Sequence, residues 1–237
     1  MRLQIRAITD KGRVREQNED RVLLGTELLR EGLREVEVEL AEDSRYVMGI
    51  ADGMGGHQAG EVAAEMLLLL LSDRVRSLRP GLSGSELEQE MREWAQTAHL
   101  RLLEEGEKDP QKRGMGTTLA GVLLYEGRIY YMSAGDSRIY RLRNSVMAPI
   151  NEEHALQSGA LLNSFGGGRT VFLEFGEIRV FEGDILLLCS DGLTRMLREE
   201  EVESLLSSGP HSLESLVARA VERGGYDNIS AICVHVG

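Results

Sequence analysis

Two hydrophobic periods alternate along the chain. Residues 2–8 and 20–25 carry strand-like apolar runs, residues 35–40 alternate Glu with Val or Leu, and residues 45–52 form a nearly unbroken apolar run ending in Asp52-Gly53. The alternation over 35–40 predicts a half-exposed strand, and the run over 45–52 a buried one. The period then lengthens. Ala59, Val62, Ala63, Met66, Leu67 and Leu70 recur at helical spacing, which predicts a helix from about Ala59 to Leu78 that Pro80-Gly81 stops. A second helix is predicted from Ser85. There Ser85 and Glu88 have capping-box spacing, and Leu87, Met91, Trp94, Ala98 and Leu102 form an apolar face up to Asp109-Pro110.

From Gly116 the strand period returns, over 117–125, 128–134 and 137–143, with Glu126-Gly127 as the first turn. Residues 146–170 are the least regular stretch. Strands are predicted again at about 176–181 and 184–190, joined by Glu182-Gly183, then short helices over 199–207 and 212–222 and a last strand over 228–236. Many consecutive strands with helices in two separate pairs predict layers, with antiparallel sheets inside and helices outside, an α+β fold.

The 237 residues fit one domain, since no Pro/Ser-rich linker divides them, and a hydrophobic fraction of 42% supplies a core. The net charge of −12 argues against nucleic acid as a partner and against docking on anionic lipid. Acidic clusters such as Glu199-Glu200-Glu201 read as solvated surface. Cys189 and Cys233 lie inside apolar runs and read as buried free thiols, which suits a reduced cytoplasm. The start, Met1-Arg-Leu-Gln-Ile, does not read as a signal peptide, and the longest unbroken apolar run, Met66 to Leu71, is too short to cross a bilayer.

The chemistry is concentrated in five aspartates. Asp52, Asp136 and Asp191 follow apolar runs, whereas Asp20 and Asp227 precede them. In an antiparallel sheet the end of one strand lies beside the start of its neighbour, so all five can gather at one rim. Crowded carboxylates repel unless a cation joins them, which points to a metal enzyme. Oxygen donors suit Mg²⁺ or Mn²⁺. The five histidines (His57, His99, His154, His211 and His235) are scattered, and no His/Cys set has zinc spacing. Gly53, after Asp52, permits a close backbone approach that lets a carbonyl share the site. Two ions bridged by a carboxylate suit hydrolysis at phosphorus, and Arg15, shortly before Asp20, is the candidate cation for phosphate oxygens.

These segments resemble the motifs of the metal-dependent serine/threonine protein phosphatases of type 2C. The first is Arg15-Glu-Gln-Asn18-Glu19-Asp20 and the second Asp52-Gly-Met-Gly-Gly-His57-Gln-Ala-Gly60-Glu. Gly114-Met-Gly-Thr117-Thr118-Leu, Ala134-Gly-Asp136-Ser137-Arg138, Ser190-Asp191-Gly192-Leu and Asp227-Asn228-Ile-Ser follow in order, so the resemblance spans about Thr9 to Val236. It implies a four-layer α-β-β-α sandwich, two packed antiparallel sheets flanked by helix pairs, with two Mn²⁺ or Mg²⁺ ions in a cleft at one end. It implies that Asp52 bridges the ions with the Gly53 carbonyl also bound, and that Asp191 and Asp227 hold one ion. Glu19 and Asp20 act near the other, directly or through water. Asp136 with Asp191 matches the position of a third, weaker ion, and Arg15 matches the phosphate-binding arginine. The reaction implied is one-step hydrolysis of phosphoserine and phosphothreonine in proteins, opposing a bacterial serine/threonine kinase, by a cytoplasmic monomer.

Three departures from the family pattern stand out. Met54 occupies the place where some relatives carry a histidine proposed as general acid, and His57, three residues on, does not simply inherit that role. Metal-bound water is the replacement acid expected here. Second, Ile150-Asn-Glu-Glu-His154-Ala keeps only the histidine of a Thr-x-Asp-His-Ser stretch, so His154 is expected to shape its loop. Third, only Leu156 to Ser164 separates His154 from Phe165-Gly166, which predicts a shortened flap around 155–170 and an open cleft. Two other readings use the same fold: a hydrolase of small phosphoesters, or a catalytically weak phosphoprotein-binding module. Retention of Asp52, Asp136, Asp191 and Asp227 weighs against the second.

Overall fold

In the computed structural model, which describes residues 1–55, 59–156, 158–207, 209 and 212–237, the predicted periods become two sheets and two helical layers. The strands are β1 (Arg2–Asp10), β2 (Arg21–Leu24), β3 (Glu27–Leu29), β4 (Gly32–Glu39), β5 (Arg45–Ala51), β6 (Gly53–Met54), β7 (Gly116–Thr117), β8 (Leu119–Tyr125), β9 (Arg128–Ala134), β10 (Arg138–Arg143), β11 (Val146–Pro149), β12 (Glu174–Ile178), β13 (Ile185–Cys189) and β14 (Ile229–Val236). The helices are α1 (Ala59–Ser77), α2 (Gly84–Lys108), α3 (Asp191–Thr194), α4 (Glu199–Leu206) and α5 (Ser212–Glu222).

One sheet runs β11-β10-β13-β14-β1-β4 and the other β12-β9-β8-β5-β2-β3, with antiparallel neighbours throughout. Alternation explains how they stack. In β1, Leu3 and Ile5 are buried while Arg2 and Gln4 are exposed. Leu3 and Ile5 join Met48, Ile50, Val122, Leu186, Ile232 and Val234 in a core between the two sheets. The outer face of the second sheet carries Leu23, Val47 and Leu123, which pack with Leu67, Leu71, Leu87 and Met91 of α1 and α2. Leu187, Cys189 and Cys233, on the outer face of the first sheet, pack with Leu193, Val202, Leu213 and Leu216 of α3, α4 and α5. The expected α-β-β-α sandwich is therefore found.

Three local expectations need correction, and one further element adds to them. The capping box at α2 is Ser83–Glu86, not Ser85–Glu88: Glu86 N–H donates to Ser83 Oγ at 3.2 Å and Ser83 N–H donates to Glu86 Oε2 at 2.8 Å. Both serines have the required spacing. Tyr125 decides between them, because its hydroxyl accepts from Leu82 N–H at 3.0 Å and donates to Arg79 O at 2.7 Å, which anchors the turn just before Ser83. The strand expected over 117–125 is interrupted at Thr118, whose backbone turns to bind Asp52. The strand expected at 176–181 lies at Glu174–Ile178, where Phe175 stacks on Tyr130 at 5.4 Å. Finally, a single helical turn, α3, follows β13 directly.

Replacing Ser83 by Ala removes the cap and should lower stability by about 1 kcal/mol, whereas Ser85→Ala should cost less than half of that. Urea unfolding of the two variants checks the register, and equal losses would contradict it.

Candidate active site

Sheet register brings the acids together. Arg21 of β2 faces Ala51 of β5, so Asp20 and Asp52 occupy neighbouring strand ends. Arg138 of β10 faces Cys189 of β13, which places Asp136 near Asp191. Cys189 also faces Ala231 of β14, and Ser190 N–H donates to Ser230 O at 3.0 Å, so Asp227 joins from the start of β14. A cleft of about 520 Å³ opens there, lined by Arg15, Glu19, Asp52, Gly53, Asp136, Asp191 and Asp227. Asp20 sits behind this wall instead. It is fully buried, with Oδ2 accepting from Ser190 Oγ at 2.8 Å and Oδ1 without a partner among the described residues.

Glycines permit the close approach. A Cβ on Gly192 would stand 1.9 Å from Asn228 O, so only glycine lets α3 pack against the start of β14. A Cβ on Gly53 would stand 2.1 Å from Gly60 O, and one on Gly60 would meet both Glu19 Oε1 at 2.8 Å and Gly53 O at 2.9 Å. Glu19 and the Gly53 carbonyl thus converge beside the start of α1. The Gly-Thr-Thr segment holds the Asp52 backbone: Thr118 N–H donates to Asp52 O at 3.0 Å, Thr117 Oγ1 donates to the same oxygen at 2.9 Å, and Asp52 N–H donates to Thr118 Oγ1 at 3.1 Å.

The electrostatics follow from this crowding. Burial, then the charges of Asp20, Asp191, Asp136 and Asp227, lift the Asp52 pKa well above the ordinary carboxylate value of 3.8. Burial raises Asp191 to about 7, reinforced by Asp136 and opposed by Arg195. Burial raises Asp20 to about 6, opposed by the neighbouring hydroxyls of Ser230 and Ser190. Asp136 and Glu19 are also raised, chiefly by burial. Two arginines offset the charge. Arg15 Nη2 donates to Asp227 Oδ2 at 2.7 Å, while Arg195 Nη2 lies 2.6 Å from Asp191 Oδ2 and 3.9 Å from Asp136 Oδ2.

Among the described residues, no three His, Cys, Asp or Glu side chains close tightly enough to cage an ion as they stand. The chemistry of the cleft nevertheless fits a hard divalent cation. Its donors are carboxylates and the backbone carbonyl of Gly53, Asp191 Oδ1 has no hydrogen-bond partner among the described residues, and burial together with mutual repulsion raises the pKa values. Of the histidines, His154 braces its loop: its Nδ1 accepts from Gly135 N–H at 3.3 Å and its backbone N–H donates to Gly135 O at 2.9 Å. Buried His99 accepts from Gly166 N–H at 3.1 Å. His57 and His211 lie outside the described residues.

Sequence reasoning did not single out Arg195, and it named Asn228 and Ser190 only as motif members without a role. Arg195 stands four residues after Asp191, a helical spacing that would have flagged the pair had α3 been read as a helix. Asn228 braces the loop carrying Arg15, accepting from Glu19 N–H at 2.8 Å and donating to Lys11 O and Gln17 O, each at 2.9 Å.

A family model described as Protein phosphatase 2C matches residues 37–224. The chain belongs to the protein phosphatase 2C family. This phosphatase is 32% identical to the serine/threonine phosphatase stp of Listeria monocytogenes, over 95% of its own length and 93% of that relative. It is 31% identical to the protein phosphatase PhpP of Streptococcus pneumoniae, over 80% and 85% of the two chains. The solved S. agalactiae serine/threonine phosphatase superposes with a TM-score of 0.84 at 27% identity, covering 99% of this chain and 100% of that one. The protein is accordingly a serine/threonine protein phosphatase of type 2C.

The raised carboxyl groups make a signed prediction. Between 3.8 and about 6 to 7 the folded state holds protons that the unfolded chain has released, so this stabilisation is present at low pH and lost as pH rises through that window. With chelator present, the contribution of the cleft acids to thermal stability should fall between pH 5 and pH 7.5. Asp52→Asn should raise the melting temperature at pH 7.5 and flatten the slope. An Asp52→Asn melting curve that tracks the wild type across this range would contradict the reading.

Proposed function

We propose that the cleft hydrolyses phosphoserine and phosphothreonine in proteins with two divalent ions, Mn²⁺ or Mg²⁺, held by its acids. The observation that carries this reading is the gathering of Asp52, Asp136, Asp191 and Asp227 with Arg15 around one cleft. Asp52 would bridge the ions beside the Gly53 carbonyl, and Asp191 and Asp227 would hold one of them. Glu19 would serve the other, directly or through water, with Asp20 supporting it from behind the cleft wall rather than as a direct ligand, and Asp136 with Asp191 would hold a third, weaker ion. Ions bound there supply an activated water and neutralise phosphoryl charge.

The chain's own residues position the rest. Arg15 is half-exposed, and its fork matches two phosphoryl oxygens once it turns from Asp227. Hydrogen bonds to the Asp52 carbonyl from the Thr117 hydroxyl and the Thr118 N–H keep Asp52 from relaxing away from its neighbours. Water oxygen would attack phosphorus as the P–O bond to the seryl or threonyl oxygen breaks; one water proton ends on that oxygen and the other stays with phosphate, so the products are the free hydroxyl and hydrogen phosphate, without a phospho-enzyme. The cysteines offer no competing nucleophile, because burial pushes both thiols up to about 12.

In the cell the enzyme would oppose a serine/threonine kinase on shared protein targets, as a cytoplasmic monomer. Two buried free thiols suit a reducing compartment. Among the described residues no helix is long and apolar enough to cross a membrane. The loop from His154 to Phe165 fits a shortened flap. Leu162 N–H donates to His154 O at 2.8 Å, Leu156 N–H donates to Ala160 O at 2.9 Å, and Ala155 bridges Leu161. Limited proteolysis should therefore give no preferred cleavage between His154 and Phe172. Rapid nicking there would contradict the short-flap reading.

Activity on a phosphothreonine peptide should require Mn²⁺ or Mg²⁺ and vanish in chelator. Asp52→Asn and Asp191→Asn should each lower kcat by about 10²-fold or more and weaken Mn²⁺ binding measured by calorimetry. Arg15→Ala should cost about 10- to 100-fold in kcat/KM, the loss of a charge-assisted bidentate contact. Full turnover in chelator would refute the mechanism.

A further inference from the structure

Arg195 is set against three acids of the cleft at once. Its Nη2 lies 2.6 Å from Asp191 Oδ2 and 3.9 Å from Asp136 Oδ2, and its Nη1 lies 3.9 Å from Asp227 Oδ2. Among the described residues no other cation pairs with Asp136 or Asp191. The placement is local in origin. Arg195 N–H donates to Asp191 O at 2.8 Å, which continues the turn of α3 and puts the two side chains on one helical face. The start of α3 is in turn held against β14 at Gly192. A Cβ on Gly159 would stand 3.7 Å from Arg195 Nη2, so the loop after His154 lies against the guanidinium.

An ion shared by Asp136 and Asp191 would need the same place. A small divalent ion takes its oxygens at about 2.1 Å. Arg195 already stands at hydrogen-bond distance from Asp191 Oδ2 and faces Asp136 Oδ2, and two cations repel strongly at such a separation. The other oxygen, Asp191 Oδ1, has no hydrogen-bond partner among the described residues. Arg195 therefore occupies one oxygen of Asp191 and leaves the other available to an ion shared with Asp227. The guanidinium is not trapped where it stands. Its side chain is half-exposed, and it also lines a neighbouring cavity of about 590 Å³ together with Glu153 and Glu200. Rotation of the side chain alone gives it room and acidic neighbours there.

We infer that Arg195 is the resident counter-cation of the Asp136/Asp191 pair, and that a third divalent ion enters there only by displacing it. The inference rests on the reading of the cleft as an ion site. It makes Arg195 a built-in competitor for the weakest ion, whereas ions held through Asp52, Asp227 and Asp191 Oδ1 are spared. The affinity of the third position is then set by this one side chain as well as by the acids.

The test is calorimetric titration of the whole chain with Mn²⁺ at pH 7.5, for the wild type, Arg195→Gln, Arg195→Lys, Asp136→Asn and the Arg195→Gln/Asp136→Asn pair. Arg195→Gln should tighten the weakest Mn²⁺ site by about tenfold, the weight of one charge-assisted hydrogen bond, or create that site where the wild type shows only two. Arg195→Lys, which keeps the charge, should stay within about threefold of the wild type. In the Asp136→Asn background Arg195→Gln should change the remaining sites by less than about twofold, because the pair no longer exists. In chelator Arg195→Gln should melt about 2–4 °C below the wild type, and saturating Mn²⁺ should abolish the difference. An Arg195→Gln titration that superimposes on the wild type would overturn the inference. So would a gain of equal size in the Asp136→Asn background, which would mean that Arg195 acts only through the general charge of the cleft. A wild-type protein that takes up no Mn²⁺ would instead overturn the ion reading of the cleft, and the inference with it.

Discussion

Carboxylates held together in a poorly solvated cleft repel one another, and the architecture at this end of the sandwich answers to that repulsion. Asp52 carries the clearest mark of it, with burial and four neighbouring aspartates all driving its pKa upward. Left to relax, the strand ends would separate. They are prevented from doing so by backbone packed too closely to admit a side chain, at Gly192 against Asn228 and at Gly53 against Gly60. The threonines that clamp Asp52 act in the same sense. The site is therefore a local destabilisation held in place by the rest of the fold, and removing one charge relieves it. That trade of stability for function is general in active sites.

The restraint comes from the core between the sheets and from a polar chain that crosses at the rim. Asn18 donates to Thr9 Oγ1 at 2.9 Å, and Ser230 Oγ donates to the same oxygen at 2.7 Å. Ser190 Oγ accepts from Ser230 N–H at 3.0 Å and donates to Asp20 Oδ2 at 2.8 Å. Thr9, Ser230 and Ser190 belong to one sheet and its strand ends, and Asp20 opens β2 of the other. Asp20 thus ties the sheets together behind the cleft, while Asp52, Asp136, Asp191 and Asp227 face into it. Removing a buried hydroxyl from this chain would leave a partner unmet, which costs more than the bond itself contributes.

Much of this was legible in the sequence, for a definable reason. Apolar runs ending in Asp-Gly mark both the strand ends and the site, so one signal reports fold and chemistry together. The rest depends on contacts between distant segments. Ser83 and Ser85 have equal capping credentials until Tyr125, about forty residues on, anchors the preceding turn. Arg195 acquires its role only because a single helical turn places it over Asp191, and one turn is too short to leave a periodic trace. Likewise, pattern alone gathers five aspartates at a rim but does not say that Asp20 lies behind the wall. That assignment needs the hydroxyls of Ser190 and Ser230 as neighbours.

Charge finally constrains what the enzyme can recognise. A phosphoprotein brings negative charge to a chain of net charge −12. At physiological ionic strength screening acts over about 8 Å, so acids on the outer helices contribute little and the cleft's own groups decide. There Arg15 and Arg195 face Asp52, Asp136, Asp191 and Asp227, and the balance among these six is negative when all four acids are ionised. An anion gains little from such a cleft until further cations enter it, so phosphate binding and cation binding must favour one another reciprocally. Were cations bound there as proposed, their attraction for phosphate would be the same for every phosphoprotein. Discrimination among substrates would then have to come from contacts outside the cleft, which differ from one sequence to the next.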